Sequence, residues 1–118
     1  MTPIARTLAK LRSTGWLADV VEGWQRHGTV WKRRDYLGIG DVFAIKTSCA
    51  LLIQVTTGSN ASARVRKLEK STMAREWLEA GGHLQVWAWS KSGKRGKRKL
   101  WNCRVIHFTL INGKVQDD

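Results

Sequence analysis

Acidic residues are scarce in this chain: 9 Asp and Glu stand against 21 Lys and Arg, giving a formal charge of +12 and a sequence pI near 10.6. Solubility alone asks for a net charge of only about 2 to 8 in a small domain. The excess therefore favours a polyanionic partner, because each neutralised phosphate releases condensed counterions. Long apolar runs are lacking as well. No stretch approaches the roughly 20 residues of a membrane span, and the N-terminus carries no signal-peptide core, so a cytoplasmic protein is expected. Cysteine is limited to Cys49 and Cys103, with no CxxC spacing and no paired histidines nearby. That excludes a zinc knuckle or a disulfide framework, and both read as small core hydrophobes. His27, His83 and His107 stand singly and are assigned no chemistry.

What is present suits one domain over residues 1–118: the chain is 42% hydrophobic, enough to bury a core without metal or disulfide staples. Thr2-Pro3 predicts a helix start, with Ile4, Leu8 and Leu11 on one face and a stop near Ser13-Thr14-Gly15. From Trp16 the period changes towards a strand through Val20 to Trp24, with a helix through Leu17, Val20, Val21 and Trp24 as the alternative. Residues 26–40 read as loop or irregular strand. Two apolar runs, 41–45 and 50–55, predict an antiparallel hairpin buried on both faces at the centre of the sheet.

Thr57-Gly58-Ser59-Asn60 then predicts a turn and a helix cap, and Ala61, Arg64, Val65 and Leu68 form one stripe of the helix it opens. Ser71 caps a further helix carrying Ala74, Trp77 and Leu78, stopped by Gly81-Gly82. Strands follow over 84–89 and 100–110. Between them lies a flexible cationic hairpin tip, 91–99, with Lys91, Lys94, Arg95, Lys97, Arg98 and Lys99 and no acid. The tail 112–118 is expected to fray. The fold class expected is α/β, a mixed sheet with flanking helices.

Chemistry concentrates in Gly40-Asp41, the hairpin, and Gln54-Val55-Thr56. An acid heading one central strand meets a polar pair ending the next, and Gln54 and Thr56 share a face because strand residues two apart point the same way. Buried polar groups of this kind need a partner, protein or ligand. On the helix that follows, Asn60, Arg64 and Lys67 fall along one flank, with Arg64 expected nearest the sheet, and the helix N-terminus suits a phosphate. Asp35 and Glu22 are further acids that could reach the site, Glu22 because it shares parity with Trp16 and Val20 on a strand, although surface salt bridges with neighbouring arginines are the favoured reading.

The element order and the Gly-Asp…Gln-Val-Thr spacing resemble the PD-(D/E)XK nuclease superfamily, in particular small phage and prophage members of resolvase-like or VRR type, over about residues 3–90. The resemblance implies a restriction-endonuclease-like αβββαβ core with an added C-terminal strand. It implies Mg²⁺ or Mn²⁺ held by Asp41, Gln54 and the Val55 carbonyl, and cleavage of DNA, including branched or Holliday-junction-like DNA, in phage replication, recombination or repair inside the host cytoplasm. Thr56 falls where the family places a lysine, so a cation from elsewhere, Arg64 or Lys67, is needed to complete the catalytic set.

Arg33, Arg34, Asn60, Arg64, Lys67 and the hairpin cations are the expected nucleic-acid contacts. Of the seven tryptophans, Trp77 reads as core. Trp87 and Trp89 share a strand face that needs a cover, for which a second subunit of a homodimer is the expectation. The competing readings are an inactive DNA-binding protein on the same fold and an RNA-binding module using the hairpin and the tryptophans.

Overall fold

The computed structural model of the chain describes residues 1–21, 23–93, 96 and 98–118, with backbone only at 24, 25, 27 and 33. Helix α1 (Pro3–Ser13) is opened by the Thr2 side chain, which accepts a hydrogen bond from the Ala5 N–H at 3.1 Å. Strand β1 (Leu17–Val20) follows, then a separate two-stranded ribbon of β2 (Gly23–His27) and β3 (Val30–Arg34). The expected single strand from 16 to 24 is thus divided. After Val20 the chain leaves the main sheet, with the Val21 N–H donating to the Asp41 carbonyl. Residues 26–40, expected to be mostly loop, contain β3 and the end of β2.

The central hairpin forms as expected from β4 (Val42–Lys46) and β5 (Cys49–Thr57). A 3₁₀ turn at Gly58–Asn60 leads into α2 (Ala61–Glu69), followed by α3 (Thr72–Glu79), β6 (His83–Ser92) and β7 (Leu100–Ile111). Ser71 caps α3 through the Ala74 N–H, whereas Asn60 makes no capping bond to α2. Its amide donates instead to Thr57 Oγ1 at 3.1 Å. The tail does not fray: Lys114–Asp117 is β8, paired with β7 across an Asn112-Gly113 turn whose residues both have positive φ, 52° and 74°. That is the geometry a two-residue hairpin loop requires.

The main sheet runs β1-β4-β5-β6-β7-β8, with β5 and β6 parallel and the other pairs antiparallel. Alternation divides its side chains between two layers. Leu52, Leu84, Val86, Ala88, Ile106 and Phe108 pack with Leu68 of α2 and Ala74 of α3. On the other face Val42, Ala44, Leu51, Ile53, Trp87 and Trp89 pack with Leu11 of α1, with Ile4 and Leu8 at the margin. The protein is therefore an α/β fold with a mixed six-stranded sheet and helices on both faces.

This corrects the expectation that a second subunit covers Trp87 and Trp89. Both indoles are buried under α1, and Trp89 Nε1 donates to Thr7 Oγ1 at 2.9 Å inside that layer. Cys49 and Cys103 are only half-buried, at the margin of the core rather than in it. Among the described residues no helix is long and apolar enough to cross a membrane.

Candidate functional site

The polar cluster sits on the α2 side of the sheet, where β4 begins. Tyr36 and Gly40 bridge to one another, closing a tight loop with Leu37 and Gly38 at positive φ, 55° and 71°. Gly40 is held against Leu52, so closely that a Cβ there would lie 3.1 Å from its side chain, and Ile39 is fully buried. Residues flanking such a closed loop are brought side by side, and here they are Asp35 and Asp41. Asp41 also continues β4 across from Gln54, its N–H donating to the Ile53 carbonyl.

Gln54 ties the cluster together. Its Nε2 donates to Asp35 Oδ2 at 2.9 Å and to Asp41 Oδ2 at 3.2 Å, and the Val55 N–H donates to Asp41 Oδ2 at 2.9 Å. Asp41, Gln54 and Thr56 are all buried, at 5%, 2% and 7% exposure. Lys67 enters from α2 and places its Nζ 3.5 Å from Asp35 Oδ2. Burial pushes the Asp35 carboxyl up, but the hydrogen bonds with Asp41 and Gln54 and the Lys67 charge together outweigh it and hold the group below its ordinary value.

Of the residues expected at the site, Asp41, Gln54, Val55 and Lys67 are brought together, and Thr56 lies buried on the same face two residues on. Arg64 does not hold the place nearest the acids. It lies half-buried one turn earlier on α2, and Lys67 makes the contact. Asp35, expected either at the site or, with more weight, in a surface salt bridge, is a full member of the cluster. The signal for it was the Tyr36-to-Gly40 stretch, a five-residue loop with two glycines between two aspartates. Glu22 lies outside the described residues.

Among the described residues no three His, Cys, Asp or Glu side chains converge, and the donors they would offer a metal here are two carboxylates and neutral oxygens. The donor set fits a hard cation such as Mg²⁺, which takes oxygen ligands and is commonly held by one or two carboxylates. The Val55 carbonyl leaves β5 on the same side as its N–H, the side of Asp41. Gln54 Oε1 is buried without a partner. Orphaned buried acceptors are rare, and half a turn of the amide exchanges its oxygen for its nitrogen and aims it at the carboxyls, an arrangement that a cation, or a proton on one carboxyl, would stabilise.

A groove of about 440 Å³ lies at the end of β5, lined by Val20, Val55, Thr56, Thr57, Asn60 and the start of α1 at Thr2, Pro3 and Ile4, with none of Asp35, Asp41, Gln54 and Lys67 in its lining. Of the expected nucleic-acid contacts, Arg34 is exposed on the ribbon, and Lys91, Arg98 and Lys99 are exposed where the basic hairpin leaves the sheet. Lys94, Arg95 and Lys97, and the side chain of Arg33, lie outside the described residues. No family model matches the chain, and neither a curated protein nor a solved structure matches it.

Proposed function

We propose that the chain is a Mg²⁺- or Mn²⁺-dependent DNA endonuclease built on a core of the PD-(D/E)XK type. The observation that carries the reading is the convergence of Asp35, Asp41, Gln54 and Lys67 at one end of β4 and β5, through contacts of 2.9 to 3.5 Å. Further support comes from the order of elements. A helix, a strand, an antiparallel hairpin and a helix precede a strand parallel to the hairpin's second arm, which is the αβββαβ sequence expected of that core apart from the inserted β2–β3 ribbon and α3.

The residues that would hold the ion are Asp41, Asp35, the Gln54 amide oxygen and the Val55 carbonyl. The chemistry it supplies when bound is Lewis-acid polarisation of a phosphodiester and acidification of water. The chain's own part is positioning. The Val55 N–H fixes the Asp41 carboxylate, and in the isolated chain the Gln54 amide nitrogen spans Asp41 and Asp35. Lys67, 45% exposed, carries the positive charge that Thr56 lacks and reaches a phosphate oxygen from the helix instead of the strand. The +12 chain retains the DNA.

The test is cleavage of duplex, single-stranded and junction DNA with Mg²⁺, Mn²⁺ or EDTA, comparing wild type with Asp41→Ala. Metal-dependent cleavage that disappears in the variant is expected. Identical products from both proteins end the nuclease reading. Binding that persists in EDTA, with no cleavage by wild type under any metal, leaves a non-catalytic DNA-binding protein.

A further inference from the structure

The basic hairpin leaves the sheet beside a second cleft, of about 540 Å³, lined by Arg6, Lys91, Arg98, Lys99, Leu100 and Trp101. Four of these six side chains are cations and none is an acid. Its floor is aromatic: Trp101 is 41% exposed, although tryptophan elsewhere on this face of the sheet, at 87 and 89, is at most 7% exposed. One side of the Trp101 ring is occupied by the Arg6 guanidinium, 4.5 Å from the centroid. Arg6 Nε is buried with no hydrogen-bond partner, so the ring contact is what compensates that end of the guanidinium. An exposed indole backed by arginine and rimmed by lysines offers a planar apolar surface and phosphate-binding charge within one nucleotide's reach.

We propose that this cleft is a stacking site for an unpaired DNA nucleotide, its base on the free part of the Trp101 ring and its phosphates on Lys91, Arg98 and Lys99. The occupant must be unpaired, because in a duplex both faces of every base are already stacked, whereas single-strand binders combine exposed aromatics with a basic track. Placement relative to the acid cluster follows from strand register. Trp101 pairs with Lys91, four residues beyond the Trp87 that pairs with Val55. At about 3.3 Å per residue and about 4.8 Å per strand spacing, Trp101 lies roughly 16 Å from Val55, towards the same end of the sheet.

The two sites are on opposite faces, since Trp101 shares parity with Cys103 and Val105 on the α1 side. Between them, at the same end of the sheet, lies the groove formed by the end of β5 and the start of α1 at Thr2, Pro3 and Ile4, and Arg6 lies about one turn further along α1. A single strand passing round this end of the sheet from the acid cluster would span the separation with a few nucleotides. The inference rests on the nuclease reading for its substrate, DNA with a single-stranded arm next to the cut.

The test is binding in EDTA, where no cleavage intervenes. Fluorescence anisotropy with labelled DNA compares a duplex bearing a single-stranded arm with a blunt duplex of equal length. Trp101→Ala is expected to weaken the arm-bearing substrate about 5- to 100-fold, the range of base-stacking aromatics, and the blunt duplex less than about two-fold, with Trp101→Phe close to wild type. Equal losses on both substrates, or no loss on either, overturn the proposal. In the wild-type protein, a 5-iododeoxyuridine placed in the arm is expected to photocrosslink to the peptide containing Trp101, and crosslinks confined to other peptides overturn it as well. Failure of cleavage with every metal would remove the nuclease reading and leave this arm preference measurable.

Discussion

Replacing Lys67 by Met separates a catalytic cation from a structural ion pair. Lys67 Nζ is 3.5 Å from Asp35 Oδ2, but the lysine is 45% exposed and its partner 21%, so water screens the pair. Pairs of this kind contribute about 0 to 1 kcal/mol, and methionine keeps the length and packing of the stem. Folding should therefore weaken by less than about 1 kcal/mol, a fall of a few degrees in Tm for a chain of this size. If Lys67 stabilises charge on the transferring phosphate, its loss costs about 10²- to 10³-fold in rate, or roughly 3 to 4 kcal/mol of barrier.

The two magnitudes differ enough for one variant to decide. Single-turnover cleavage at saturating enzyme isolates the chemical step from binding, and anisotropy in EDTA gives DNA affinity alone. Lys67→Met should cleave at least about 100-fold more slowly, bind DNA within a few-fold of wild type and melt almost normally. Lys67→Arg, which keeps the charge with a different geometry, should recover part of the rate. Cleavage by Lys67→Met within about three-fold of wild type would refute the assignment.

The Asp35 carboxyl sits below its ordinary value of 3.8, so it stabilises the fold above that pH and the contribution is lost as pH falls through the depressed native value. Urea titrations between about pH 7 and pH 2 should show a shallower acid decline for Asp35→Asn than for wild type, and superimposable declines would count against the cluster. In the α1 layer, Thr7 Oγ1 accepts from Trp89 Nε1 and donates to the Pro3 carbonyl, both at 2.9 Å. Thr7→Val strands the buried indole N–H and should cost about 1 to 3 kcal/mol, with Thr7→Ser close to wild type. A loss under about 0.5 kcal/mol would mean that this bond does not hold α1 on the tryptophans.

The elements legible in the sequence are those that bury a periodic apolar face. α1, the central hairpin, α2, α3, β6 and β7 each present residues at spacing 2 or 3.6 to a core, and caps or glycines mark the helix ends. The described side chains of the β2–β3 ribbon form no such face. Val30, Trp31, Lys32 and Arg34 are all exposed, so no alternation marks the strands. β8 does carry a sequence signal, since Asn112-Gly113 is among the strongest short hairpin turns. The face bearing Trp87 and Trp89 was read correctly as one needing a cover. What the pattern could not say is that α1, far away in sequence, returns to provide it.

The site divides along the same line. Asp41 and Gln54 follow from cross-strand register and Lys67 from helical period, both regular geometries. Asp35 depends on the closure of one irregular loop, which no periodicity encodes. Its presence changes the electrostatics of the cluster. In a chain with only 9 acids against 21 basic residues, two of the acids accept hydrogen bonds from one buried amide nitrogen, and Lys67 pairs with Asp35. Asp35 and Asp41 meet in a largely desolvated place, and the hydrogen bond between the two carboxyls, the strongest of the influences that lower Asp35, requires a proton shared by the pair. On the proposed function, a divalent cation held by both carboxylates would take the place of that shared proton, so the cluster that satisfies itself in the isolated chain is also one that can exchange a proton for a metal ion.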